Sequence, residues 1–212
     1  MKADKEYITR TRAGDMKAYA ALVDKYQSMV FVLVRSVCRH AEDAREVTQD
    51  VFLQAYKQLH TFRGEASFKT WLYRIAYNTA ISHIRKEQSR ERRAQDYKAH
   101  ALHASAETSA HIPEYAEEEQ DAAEQQRYQK LRLLVASLPP KERLLIELYY
   151  YKDLKMEEIA HICSLTPSNV KVSMFRIRQK LKAGMEREAI TKRKAGMQPE
   201  IEMTTTSTNE KP

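Results

Sequence analysis

Glycine is scarce in this chain, with four among 212 residues (Gly14, Gly64, Gly184, Gly196) where an average protein carries about 7%. A chain so poor in the residue that frees tight turns, and rich in Ala, Leu, Glu, Gln, Lys and Arg, favours helices over hairpins. Cysteine is sparse too. Cys38 and Cys163 offer no CxxC pair, no metal-ligand set and no disulfide framework, and two isolated thiols suit a reducing cytoplasm. No run of about 18 apolar residues occurs, and the opening MKADKEYITRTRAGD lacks a hydrophobic signal core, so neither export nor a membrane span is expected. HExxH, a GxxxxGKS/T phosphate loop and nucleophile motifs are all missing, and the seven histidines are scattered. The expectation is therefore no enzyme, no metal and no cofactor. What is present is positive charge: +7 overall, which suits either a polyanion or an anionic membrane surface until charge placement decides.

Apolar residues at Leu22, Val23, Tyr26, Val30, Leu33 and Val37 follow a helical rhythm of threes and fours, starting after Gly14-Asp15. A second helix carries Ala44, Val47, Val51, Ala55 and Leu59 on one face, and a third runs from about Ser67 to about Arg90. Periodicity fades from about Arg93 to Gln125, and the segment from Glu114 to Glu124 holds six acidic and no basic residues. That segment reads as a linker whose acidic end is either simply solvated or a shield for a basic surface. Helical rhythm returns at Tyr128, is broken by Pro139-Pro140, and fades again beyond Gly184. The expected fold is all-α: two small helical domains joined by a flexible linker, the second containing a helix-turn-helix. The expected boundaries are 1–92, a linker 93–125, a second domain 126–184 and a disordered tail 185–212.

The stretch KMEEIAHICSLTPSNVKVSMFRIRQKL has the layout of a helix-turn-helix. One helix turns Ile159, Ala160 and Cys163 inward, Ser164-Leu165 makes the turn, Thr166 caps and Pro167 opens the second helix. At 100° per residue Val170, Met174, Ile177 and Leu181 share a packing face. The opposite face presents Ser168, Val172, Phe175, Arg176 and Gln179, flanked by Asn169, Lys171, Arg178, Lys180 and Lys182. From Ser168 to Lys182 there are five basic residues and no acidic one, a pattern in which Arg and Gln read base edges, apolar tips meet thymine methyls and lysines hold phosphates.

In the N-terminal half, HTFRGEASFKTWLYRIAYNTAISHIRK mixes aromatics with Arg and Lys. Projection puts Phe68, Leu72, Ile75, Ala76 and Thr79 on one side and Trp71, Arg74, Asn78, Ser82 and Arg85 in a separate stripe. A tryptophan among Arg, Asn and Ser suits unstacked bases and phosphates, and Gly64 gives the preceding loop freedom to enclose an extruded base. The second helix shows another outward face, Glu46, Gln49, Asp50, Leu53 and Lys57, where a leucine among acids and amides suits a protein partner. On these residues alone, a DNA-binding repressor or activator whose first domain dimerises remains open.

The strings AGDMKAYAALVDKY, DAREVTQDVFLQAYKQLHTFRGEASFKTWLYRIAYNTAI and LPPKERLLIELYYYKDLKMEEIAHI, in this order and spacing, resemble extracytoplasmic-function sigma factors of the sigma-70 family. The resemblance implies a non-enzymatic initiation factor that binds core RNA polymerase and promoter DNA. It implies that the second helix docks on the beta-prime clamp through Gln49, Asp50, Leu53 and Gln54. It implies that Phe62, Arg63, Gly64, Trp71, Arg74 and Asn78 read and melt the minus-ten element, with Asn78 the best single candidate for base recognition. The Ser168–Lys182 helix would read the minus-thirty-five element, and an anti-sigma factor is a common partner of such proteins. Two positions depart from the family pattern: Val172-Ser173 stands where Ser-Arg is frequent, and Tyr77 where a basic residue is frequent.

Overall fold

Asp15 begins the first long helix. Its carboxylate accepts hydrogen bonds from the Lys17 and Ala18 amides at 2.9 and 3.2 Å, satisfying two donors for which the helix has no carbonyl. A computed structural model describes residues 2–99 and 122–195, and among these no strand occurs. The helices are α1 (Lys2–Arg12), α2 (Met16–Arg35), α3 (Ala41–Gln58), α4 (Phe68–Ala99), α5 (Ala122–Ser137), α6 (Pro140–Ile146), α7 (Met156–Cys163) and α8 (Pro167–Ala195). A 3-10 turn at Leu59–Thr61 precedes α4, and a π-helical turn at Glu147–Tyr151 extends α6.

Helices α2, α3 and α4 pack together through Leu22, Val30 and Leu33, Val47 and Val51, and Leu72 and Ala76, all fully buried. Burying each leucine side chain contributes about 2 kcal/mol. Helix α1 carries too few apolar residues to announce itself, and its anchors are polar. The Asp4 carboxylate is held by the Lys25 ammonium and accepts the Tyr26 hydroxyl at 3.0 Å. Burial pushes the Asp4 carboxyl up, but those two hydrogen bonds outweigh it and the net shift is down.

In the C-terminal half, Pro140 opens α6, and Leu144, Leu148, Ile159, Ile162, Met174 and Ile177 form the interior. Gly184 lies inside α8 where α5 crosses: a Cβ there would sit 2.6 Å from Leu134 Cδ2. The glycine is thus a packing notch, and α8 continues past it to Ala195, into the stretch expected as tail. Similarly α4 continues to Ala99 and α5 begins at Ala122, inside the stretch expected as linker. An ion pair between Arg39 and Glu91 ties the extended part of α4 to the end of α2. The acidic run from Glu114 and the tail beyond residue 195 lie outside the described residues.

The two halves share one apolar core, because α6 and α7 pack on α4. That contact buries Tyr73, the largest fully buried side chain, along with Tyr77, Ala80 and Ile84. Among the described residues the Tyr73 hydroxyl has no hydrogen-bond partner. A buried orphan hydroxyl is destabilising, so Tyr73→Phe is expected to raise unfolding free energy by about 1 kcal/mol in urea titration, where most buried substitutions lower it. Both cysteines are buried, and burial pushes each thiol up to about 12. Little thiolate is left at neutral pH, which makes both poor nucleophiles.

Candidate nucleic-acid interface

The loop before α4 is built from its base upward. The Arg12 guanidinium donates to the Leu59 carbonyl at 2.8 Å and also to the Phe62 carbonyl, fixing the point where the chain leaves α3. Gly64 then adopts φ +79°, a left-handed conformation that costs other residues energy. At the far end Ser67 Oγ accepts the Thr70 amide at 3.0 Å and starts α4. Phe62, Phe68 and Trp71 form a triangle with ring centroids 5.4 to 5.7 Å apart. Of the three, Phe68 is buried while Phe62 and Trp71 keep part of their faces open.

Phe62, Arg63, Gly64, Trp71, Arg74 and Asn78 all line one cleft of about 410 Å³, so the loop and stripe residues from the sequence meet at a single place. Ser82 and Arg85 continue the exposed stripe along α4 outside that cleft. Helix α3 presents Glu46, Gln49, Asp50, Leu53 and Gln54 to solvent, Leu53 with 58% of its surface exposed. A second groove runs between α3 and α4, bordered by Glu46, Asp50 and Gln54 on one side and by Asn78, Ser82 and His83 on the other. Asn78 therefore stands on the ridge between the two surfaces. His83 is half-buried on that groove wall, and among the described residues no cluster of three His, Cys, Asp or Glu is placed to hold a metal ion.

In the stretch expected to form a helix-turn-helix, α7 and α8 are joined by a short turn. Thr166 Oγ1 accepts the Asn169 amide at 3.2 Å, and α8 starts at Pro167. The turn is made by Ser164 in a left-handed conformation, φ 55°. Val170, Met174 and Ile177 are buried and Leu181 partly so, while Ser168, Asn169, Lys171, Val172, Phe175, Arg176, Gln179 and Lys180 are exposed. Ser173 is half-buried. Phe175 leaves 61% of its surface to solvent and Val172 46%, a large apolar exposure on an otherwise cationic face. Two of the cations are engaged within the domain: Arg178 Nε donates to the Tyr150 hydroxyl at 2.9 Å, and Lys180 pairs with Glu142.

Arg12, which anchors the loop behind the first cleft, and His161, which lines it, both escaped the sequence reading. Arg12 acts on backbone carbonyls, which leave no pattern in a sequence. His161, on α7, reaches the cleft wall from the other half of the chain, and only the tertiary contact reveals it.

Residues 22–90 match the family model of Sigma-70 region 2, and residues 128–181 that of Sigma-70 region 4. The chain is 30% identical over 184 residues to the RNA polymerase sigma-H factor of Pseudomonas aeruginosa, covering 86% of this chain and 94% of the relative. It belongs to the extracytoplasmic-function sigma factors. This sigma factor is also 33% identical over 177 residues to the ECF RNA polymerase sigma-E factor of Escherichia coli, covering 83% and 91% of the two chains. Its fold is shared with CnrH in the structure with the cytosolic domain of CnrY (TM-score 0.59, 20% identity, 87% and 98% of the chains). It is shared too with the sigma factor RpoE in complex with the anti-sigma factor NepR from Bartonella quintana (TM-score 0.58, 21% identity, 80% and 98%). Sigma factors are non-enzymatic transcription factors, and among the described residues no helix is long and apolar enough to cross a membrane.

Proposed function

We propose that this sigma factor binds core RNA polymerase through the α3 face of Glu46, Gln49, Asp50, Leu53 and Gln54, docking on the beta-prime clamp. Residues 1–92 then act as the core-binding and minus-ten-reading domain, and residues 126–184 as the minus-thirty-five-reading domain. The minus-ten strand is read and held open by Phe62, Arg63, Gly64, Trp71, Arg74 and Asn78, with Ser82 and Arg85 following its backbone. Ser168, Asn169, Lys171, Val172, Ser173, Phe175, Arg176, Gln179 and Lys180 read the minus-thirty-five duplex. The protein works in the cytoplasm, where an anti-sigma factor restrains it.

The observation that carries this reading is the convergence of an aromatic pair, two arginines and an asparagine on one cleft beside a helical face suited to a protein partner. A site that melts DNA without hydrolysing a nucleotide must replace lost stacking by binding. DNA stacking averages about 1.4 kcal/mol per step, and one base stacked on an aromatic ring returns about 1–3 kcal/mol. Phe62 and Trp71 together can therefore offset the unstacking of one or two bases. Arg63 and Arg74 add phosphate attraction that depends on salt. Tethering the two DNA-reading surfaces makes the second contact effectively intramolecular, so that neither domain needs high affinity alone.

Asn78→Ala tests the assignment where it is sharpest. The variant is expected to lose about 1–3 kcal/mol of discrimination at one minus-ten base pair and to keep its affinity for core polymerase. Transcription from a set of single-base minus-ten variants reads the first, and a fluorescence titration with core polymerase reads the second. Lost polymerase binding with unchanged base preference would assign Asn78 to the α3 groove that it also borders.

A further inference from the structure

We propose that Arg12 is a positioning residue for minus-ten reading: from α1 it holds the backbone of the loop that carries Phe62, so that the ring stands ready beside Trp71 before a base arrives. This rests on the assignment of that cleft under Proposed function, and adds to it a residue outside both DNA-reading sets. Helix α1 lies ahead of residue 22, where the match to Sigma-70 region 2 begins.

The need for such a residue follows from the way the chain leaves α3. The last carbonyls of a helix have no amide of their own helix to accept from, and at that end the helix dipole favours a cation. Helix α3 runs out at Gln58 into the 3-10 turn Leu59–Thr61, and Phe62 then turns the chain to extended backbone, ψ 107°. Arg12 supplies donors from another element. Its Nε and Nη2 both donate to the Leu59 carbonyl, at 3.2 and 2.8 Å, and Nη2 donates also to the Phe62 carbonyl. One planar guanidinium thereby ties the start of the turn to the residue just beyond it. The Phe62 ring lies 5.4 Å from that of Trp71 and 5.7 Å from that of Phe68, centroid to centroid. Phe62 lines the cleft, and Arg12, which holds it from behind, does not.

A positioning group works only if its own base is fixed, and α1 is pinned along its length. Ile8 and Thr11 are buried, and Asp4 is held by Lys25 and Tyr26. At the corner after Gly14, φ +95°, the Arg10 guanidinium donates from Nε and Nη2 to Asp15 Oδ2 at 3.0 and 2.8 Å. The Tyr26 ring that serves Asp4 also packs on Phe68, 5.5 Å between centroids. Helix α1 is thus joined to the aromatic triangle twice, through Arg12 to Phe62 and through Tyr26 to Phe68. A loop ordered in advance spares the incoming strand the entropy of ordering it.

Arg12→Lys and Arg12→Ala separate holding from charge. Lysine keeps the positive charge but puts a single ammonium in place of the planar fork. The probe is a fluorescent single-stranded oligonucleotide of the minus-ten element that wild-type holoenzyme selects from randomised promoters. Holoenzymes made with either full-length variant are expected to bind it about tenfold more weakly, the scale of one hydrogen bond to a charged group. The salt dependence of binding keeps its wild-type slope, since no phosphate contact is lost, and affinity for core polymerase is unchanged. Trp71 is the only tryptophan in the chain, so its fluorescence reads the cleft without a label, and acrylamide should quench it more strongly in both variants.

Four results would overturn the proposal. The lysine variant could bind the oligonucleotide like wild type, or Trp71 quenching could stay unchanged. A slope of log affinity against log salt reduced by about 0.7 in Arg12→Ala would make Arg12 a phosphate contact. Polymerase binding lost together with strand binding would make it a part of the fold. If wild-type holoenzyme selects no minus-ten element, the reading under Proposed function falls and the Arg12 assignment with it; if it selects one and the variants match wild type, only the Arg12 assignment falls.

Discussion

Leu53→Asp lowers affinity for core polymerase at least tenfold, which is about 1.4 kcal/mol or more, and leaves thermal stability unchanged. The expectation follows from two facts about one side chain. Leu53 is 58% exposed on α3, so replacing it removes little packing from the fold, and surface changes of that kind usually stay within about 0.5 kcal/mol. The same leucine is the only aliphatic side chain among Glu46, Gln49, Asp50 and Gln54 in the proposed docking face, where an apolar anchor surrounded by polar groups carries a large share of binding energy. Placing a carboxylate at its centre forces burial of a charge next to Asp50. A titration of labelled protein with core polymerase, alongside a melting curve, checks both halves. Unchanged affinity would move the docking site off α3, and a lowered melting temperature would make Leu53 part of the fold after all.

Arg176→Ala weakens promoter binding by about 1–3 kcal/mol at one minus-thirty-five base pair, whereas Arg178→Ala, two residues on, acts on the domain instead. Arg176 lies on the exposed face of α8 beside Phe175, where a guanidinium can reach a guanine edge. Arg178 is turned back: it donates to the Tyr150 hydroxyl and lies 5.6 and 5.8 Å over the Tyr149 and Tyr150 rings. Removing it takes away a cation–π contact, worth about 0.5–1 kcal/mol at an exposed site. Holoenzyme binding to promoters substituted base by base separates the pair. Arg176→Ala should flatten preference at a single position, and Arg178→Ala should lower stability while leaving preference intact. The reverse result would mean that α8 enters DNA on a different face.

This contrast also marks how far the sequence could be read. Helices with one partner surface were legible: α3 buries Ala44, Val47, Val51 and Ala55 as its spacing requires, and α8 buries Val170, Met174 and Ile177. Helix α4 was legible on one side only. Its spacing picked out Phe68, Leu72, Ile75 and Ala76, but Tyr73, Tyr77 and Ile84 are buried as well, because a second domain packs on it and no local period records that. Helix α1 was missed because Asp4, Lys25, Tyr26 and Arg12 hold it through charge and hydrogen bonds, and polar anchors have no rhythm. Gly184 misled for the opposite reason. Glycine after a periodic run is a stop signal, yet here it is the notch that lets Leu134 approach α8.

The departure at Tyr77 acquires a physical reading from the same contact. A basic residue there would be buried against Cys163, where a charge is costly; tyrosine supplies apolar area and a hydroxyl to the thiol. Val172 is different. It is 46% exposed beside Phe175, so the departure at this position alters the face proposed to meet DNA and not how α8 packs.

The central claim is that this chain directs core polymerase to promoters with two separate DNA-reading surfaces. In vitro transcription with purified core polymerase on a library of randomised promoters tests it most directly. The account predicts start sites that depend on the added protein and an enriched pair of elements, one lost with Asn78→Ala and the other blurred by Arg176→Ala. Transcription with no enriched element, or none beyond core polymerase alone, would contradict it.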